Sequence, residues 1–180
     1  CLSDSLGNVK IFHSTQAVER APLLFHAGII IIGQGYKVGY LNGREFKYDE
    51  NNYLISSVPT TFECETYACK DNPVVGLHID IDVFQLSQLI EKVEKHKPEN
   101  YFKNRYIFHG VEHASITQER RVITERLLNC LKSPLEAEVL GQAMVEELLF
   151  HALLGDHGNA LVALTQKDSH YAKIANVIQY

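Results

Sequence analysis

Long apolar runs, a basic excess and a regular cysteine pattern are all missing from this 180-residue sequence. The longest apolar run, residues 27–33, falls well short of the ~20 residues a membrane-spanning helix needs. No basic segment followed by an apolar one opens the chain, so no secretory leader is read there. The first residue is Cys1 rather than Met, which leaves an earlier segment open. The net charge is -5. Gripping phosphates needs clustered Lys and Arg, so this segment is not expected to hold nucleic acid by itself. Cys1, Cys64, Cys69 and Cys130 are irregularly spaced, which favours free thiols and a cytoplasmic setting over a disulfide framework. With only 5 Pro, 11 Gly and no polar tract, disorder is not expected. The closely spaced His-x-His of metal-dependent cupins is absent too, so no metal and no cofactor are expected.

What is present is an ordinary globular composition, 46% hydrophobic and 22% charged, on a chain long enough to bury a core without staples. Its character changes near residue 83. Before that point strand signals dominate. Ile29, Ile30, Ile31 and Ile32 form a β-branched run suited to a strand buried on both faces. The pair Asn42-Gly43 is a strong hairpin signal. Phe62, Cys64, Thr66 and Ala68 alternate with Glu63, Glu65, Tyr67 and Cys69. Leu77, Ile79 and Ile81 alternate with His78, Asp80 and Asp82, which predicts one buried face and one solvated face. A strand over residues 9–13 fits as well. Closely spaced strands with tight turns predict an antiparallel barrel or sandwich, since parallel crossovers need longer connections.

After residue 83 the period becomes helical. Phe84, Leu86, Leu89, Ile90 and Val93 form one apolar stripe. Residues 101–115 are ambiguous. A helix is expected over 116–131. Ser133-Pro134 supplies an N-cap and a first-turn proline for the next, which should end at Gly155. A short helix over 159–165 follows, and Asp168-Ser169 reads as the cap of a last helix over 171–180.

Four patterns invite chemistry. His109-Gly110-Val111-Glu112-His113 has the spacing of an inverted zinc-protease motif, and on a helix His109 and His113 would face one metal. Gly110 and the strand-favouring residues before it oppose a helix, so a surface loop is the preferred reading. Gly33, Gly35 and Gly39 lack dinucleotide-loop spacing and read as turns. Cys64 sits on the more apolar face of its strand, as a small buried hydrophobe or a reactive thiol. His78, Asp80 and Asp82 share the face expected to be wet, so solvated charge is preferred to metal ligation.

Stretches in order along the chain resemble the AraC/XylS-type transcription regulators, in the half of the AraC_N type. They are Ile29 through Val38 with its Gly33-Gln34-Gly35 turn, Gly43-Arg44-Glu45-Phe46-Lys47-Tyr48-Asp49 with Tyr53 through Val58, Leu77-His78-Ile79-Asp80-Ile81-Asp82, and Asp168-Ser169-His170-Tyr171-Ala172-Lys173-Ile174-Ala175. The resemblance implies a mixed β plus α fold, a cupin-like antiparallel β-barrel followed by an α-helical bundle. It implies a sensing region over 1–82, a helical dimerisation region over 83–168, and the start of a helix-turn-helix domain over 169–180. The expected partners are a small effector in the barrel, a second copy of the chain, and operator DNA read by the helix-turn-helix units. Tyr36, Phe46, Phe62 and Cys64 are the expected effector contacts. Leu127, Leu128, Leu131 and Leu135 are the expected dimer seam. The competing reading is a metal-dependent enzyme, a cupin or zinc hydrolase, using His109 and His113.

Overall fold

The structure, a computed structural model, describes residues 3–57, 59–98, 101–102 and 110–165. In chain order the described strands are β1 (Ser3–Leu6), β2 (Val9–Ser14), β3 (Val18–Phe25), β4 (Gly28–Gln34), β5 (Tyr36–Leu41), β6 (Arg44–Asp49), β7 (Asn52–Ser56), β8 (Thr60–Tyr67), β9 (Val74–Asp80) and β10 (Val111–Ser115). The helices are α1 (Val83–Glu94), α2 (Gln118–Cys130), α3 (Pro134–Leu154) and α4 (Gly158–Thr165). The expected helix over 171–180 and the proposed start of a further domain lie outside the described residues.

All the strand pairs are antiparallel. They form two separate sheets, one ordered β1-β2-β9-β4-β7-β10 and the other β3-β8-β5-β6. The fold is therefore mixed β and α as expected, but the pairing does not close into one ring. The larger sheet is covered on both faces, which explains the unbroken isoleucine run of β4. Ile29 and Ile31 pack with Leu77, Ile79, Leu86, Leu148 and Leu161 on the helical side. Ile30 and Ile32 pack with Tyr48, Leu54, Phe62 and Cys64 against the smaller sheet. The two-residue side-chain period divides a single strand between two cores.

Local signals set most boundaries. Asn42 and Gly43 both take positive φ, 51° and 76°, as a two-residue hairpin between right-twisted strands requires. Asp82 caps α1, its carboxylate accepting from Phe84 N at 2.8 Å and Gln85 N at 3.2 Å. Ser133 caps α3, with Pro134 in the first turn.

Three strands, β1, β3 and β10, are not among those the sequence predicts. β3 is an edge strand, exposed along nearly all its length, with Pro22 in its middle. An edge position tolerates a missing N–H, and its exposure removes the alternation that would reveal it. β10 comes from the ambiguous stretch and returns from the helical half to pair with β7, Val111 opposite Ser56 and His113 opposite Leu54.

A close approach fixes the stacking at Gly76. A methyl added there would lie 2.4 Å from the Phe12 ring and 2.5 Å from the Ile31 carbonyl oxygen. The backbone oxygen cannot retreat without opening the β4–β9 pairing. Gly76→Ala is expected to cost about 3 kcal/mol by overpacking, measured as a lowered urea midpoint. An unchanged midpoint would mean the sheet carries slack that this packing denies.

Candidate functional site

Strand alternation places one set of side chains in the space between the sheets. There they line a pocket of ≈ 410 Å³, within the ordinary range for small-molecule sites. From the larger sheet come Lys10 and Phe12 of β2, Ile30 of β4 and His78 of β9. From the smaller come Leu23, Leu24 and Phe25 of β3, Lys37 of β5 and Tyr48 of β6, with His26 completing the rim. Leu23 and Leu24 are 45% and 50% exposed, so the rim offers apolar surface that an occupant would cover.

The wall is apolar, but its polar groups are not scattered. Lys10 and His78 are direct cross-strand partners. Asp80 lies two residues further along β9, on the same face. Its carboxylate binds Lys10 Nζ at 2.6 Å and faces His78 Nδ1 at 3.2 Å. Across the cleft, the Lys37 ammonium lies over the Phe12 ring, 4.8 Å from its centroid. Among the described residues no carboxylate pairs with Lys37. Burial pushes its pKa below the ordinary lysine value, because an ammonium in an apolar wall loses hydration without gaining a counter-ion.

Behind this wall Tyr48 and Cys64 are hydrogen-bonded, Oη to Sγ at 3.0 Å. Burial pushes both groups up, Tyr48 well above its ordinary value. Cys64 is held as the thiol, the less nucleophilic form.

The expected contacts separate as follows. Phe62 and Cys64 face the space between the sheets and belong to its core. Phe46 lines a smaller pocket of ≈ 50 Å³ with Leu41, Asn42, Arg44, Val111 and His113. Tyr36 stacks on Tyr67, ring centroids 4.7 Å apart, beneath the Lys47 ammonium. That is the opposite face of β5 from Lys37, because a one-residue offset changes sides. None of the four lines the larger pocket.

The residues that do line it include two that the sequence hid. Lys37, to which the sequence assigns no role, stands on the inward face of β5. His78 and Asp80 were expected on a solvated face, yet that face closes on the smaller sheet, and Asp82 serves as the α1 cap. The overlooked signal was the shared parity of Ile30, Ile32 and their β9 partners.

The structure also bears on the zinc motif. Residues 111–115 are strand, not helix, and His113 Nε2 lies 2.9 Å from the Lys47 carbonyl oxygen. The helical premise therefore fails over residues 111–115. His109 lies outside the described residues. Among the described residues no cluster of three or more His, Cys, Asp or Glu is placed to hold a metal, and no helix is long and apolar enough to cross a membrane.

Of the expected seam, Leu127 is fully buried in the helical core. Leu128 and Leu131 pack partly against that core. Leu135 is 71% exposed, with Val139 one turn on at 66%.

The His78 environment predicts a pH effect. Burial lowers the His78 pKa below its ordinary 6.5, against the opposing pull of Asp80 and with help from Lys10 and His26. Between the lowered value and 6.5 the unfolded chain binds the proton that the folded one refuses, so stability falls as pH drops through this window. One such group contributes at most about 1.4 kcal/mol per pH unit. His78→Gln should flatten the slope of stability against pH below 6.5, read from denaturation at a series of pH values. A variant with the wild-type slope would place the titration elsewhere.

A family model described as the N-terminus of AraC-type transcriptional regulators matches residues 5–160. No curated protein matches the chain in sequence. Among solved structures, ToxT from Vibrio cholerae bound to an unsaturated fatty acid is similar with a TM-score of 0.64 at 8% identity, over 95% of this chain and 62% of that one. ToxT bound to (E)-4-(8-methylnaphthalen-1-yl)but-3-enoic acid gives 0.55 at 9% identity, over 96% and 71%. An apo ToxT carrying K231A, also from Vibrio cholerae, gives 0.52 at 7%, over 96% and 70%. At such identities the likeness is one of fold. The chain spans 62% of the length of the first of these.

Proposed function

The chain belongs to the AraC-type transcriptional regulators, in their N-terminal domain family, and on that premise we propose that it senses a small apolar carboxylic acid between its two sheets. The observation that carries this reading is Lys37. It is a half-buried cation without a carboxylate partner among the described residues, set in a pocket whose other walls are largely Phe, Leu and Ile. An anion there gains a desolvated charge-assisted contact, while an apolar body covers Leu23, Leu24 and Phe25. The acids bound by the two liganded ToxT structures are of this class. Phe62 and Cys64 belong to the core between the sheets beside this pocket, and Phe46 lines the smaller one.

Signalling in this reading is a population shift. β2, β4 and β9 hold the pocket on one face and the helices on the other. Ile30 and His78 look into the cleft, while Ile29, Leu77 and Ile79 contact the helical core. An effector that draws the sheets together therefore moves the helical layer. The opened pair of sheets is read as a variant of the cupin-like barrel, with sensing assigned to 1–82 and dimerisation to 83–168. Operator DNA is read by helix-turn-helix units beginning near residue 169, in a cytoplasmic homodimer. The role is regulatory, with no catalytic step.

The test compares dodecanoate with dodecanol, which share an apolar tail and differ in charge. Dodecanoate should raise the melting temperature in proportion to the logarithm of its concentration, and dodecanol should raise it far less. Equal shifts, or none, would remove the anion-sensing reading.

A further inference from the structure

Two lysines reach one pocket from opposite sheets, and only one of them is open. Lys10 is engaged by Asp80 at 2.6 Å. Lys37 meets the face of Phe12 and no carboxylate among the described residues. Resting on the carboxylate-sensing reading, we infer that Asp80 sets the charge this pocket accepts. By occupying Lys10 it leaves a single site for an anion, so the effector is a monocarboxylate and a second carboxylate on the same head is rejected.

The argument is one of local charge balance. Lys10 and Asp80 sit diagonally on paired strands, since Lys10 faces His78 in the ladder and Asp80 follows two residues later. Such diagonal neighbours are within reach of long side chains. Their charges cancel, and His78 beside them is disfavoured as a cation by burial. The β2–β9 end of the pocket is thus neutral overall, with the Asp80 carboxylate close behind the lysine. A second anionic group arriving there would have to displace Asp80 from Lys10 and then lie beside it, and like charges held that close repel. Among the described residues the β5 side has no such competitor. Asp80 is a specificity residue that need not touch the effector.

The experiment titrates the chain with dodecanoate and with dodecylsuccinate, similar linear alkyl tails on a head of one or two carboxylates, by calorimetry at pH 8, above the ordinary histidine range. Wild type should bind dodecanoate at least about tenfold more tightly than dodecylsuccinate, and Asp80→Asn should gain about tenfold or more for dodecylsuccinate. Adding Lys10→Met to Asp80→Asn should return that gain to baseline, which locates it at Lys10. Circular dichroism checks that each variant is folded. If wild type binds neither acid, the carboxylate-sensing reading falls and this inference with it. If wild type binds both equally, or Asp80→Asn leaves their ratio unchanged while dodecanoate still binds, the inference alone is overturned.

Discussion

Lys37→Met should lower the affinity for dodecanoate by about 100-fold, the scale seen when one member of a desolvated charge pair is truncated. The same substitution should stabilise the empty protein slightly, by up to about 1 kcal/mol, because a half-buried ammonium without a carboxylate partner among the described residues is replaced by an apolar chain of similar length. The two effects have opposite signs, and that opposition is the diagnostic. A residue kept for packing would lose stability and binding together. A residue kept for recognition holds its charge at a cost to the fold. Calorimetry with dodecanoate and urea denaturation without it give the two readings. Retained binding would mean that the carboxylate is held elsewhere, and Lys37 would lose its role.

Leu127→Ala and Leu135→Glu should separate core from seam. Leu127 is fully buried among the helices, so truncation should cost about 3 kcal/mol through lost transfer energy and an unfilled cavity. Any loss of dimer in that variant would be secondary to unfolding. Leu135 is 71% exposed beside Val139. If these residues form the seam of the proposed homodimer, Leu135→Glu should leave the denaturation midpoint nearly unchanged and shift the sedimenting species from dimer to monomer. A dimer that survives Leu135→Glu would move the seam to another face. Sequence treats the two leucines alike, since both belong to apolar helical stripes. Only the packing of α2 and α3 tells them apart.

The same limit governed the pocket. Element type was legible wherever a local rule was strong. The isoleucine run, the Asn42-Gly43 turn and the Ser133-Pro134 cap each have a local physical cause. The exposed edge strand β3 and the late strand β10 have none strong enough. β10 is a strand because β7 offers its edge, a fact about residues far away in the chain. The expected effector contacts presuppose an inward-facing Tyr36. Strand parity instead turned Lys37 inward and Tyr36 outward onto Tyr67.

Composition, periodicity and caps therefore determined that this chain is a strand-rich half followed by helices. These properties arise from neighbours within a few residues, where backbone sterics and side-chain spacing act directly. Tertiary structure decided that the sheets remain two, that His78 and Asp80 face a cleft rather than water, and that one lysine is paired while the other stands open. Pairing and desolvation depend on which distant strands come together, and no short-range rule encodes that.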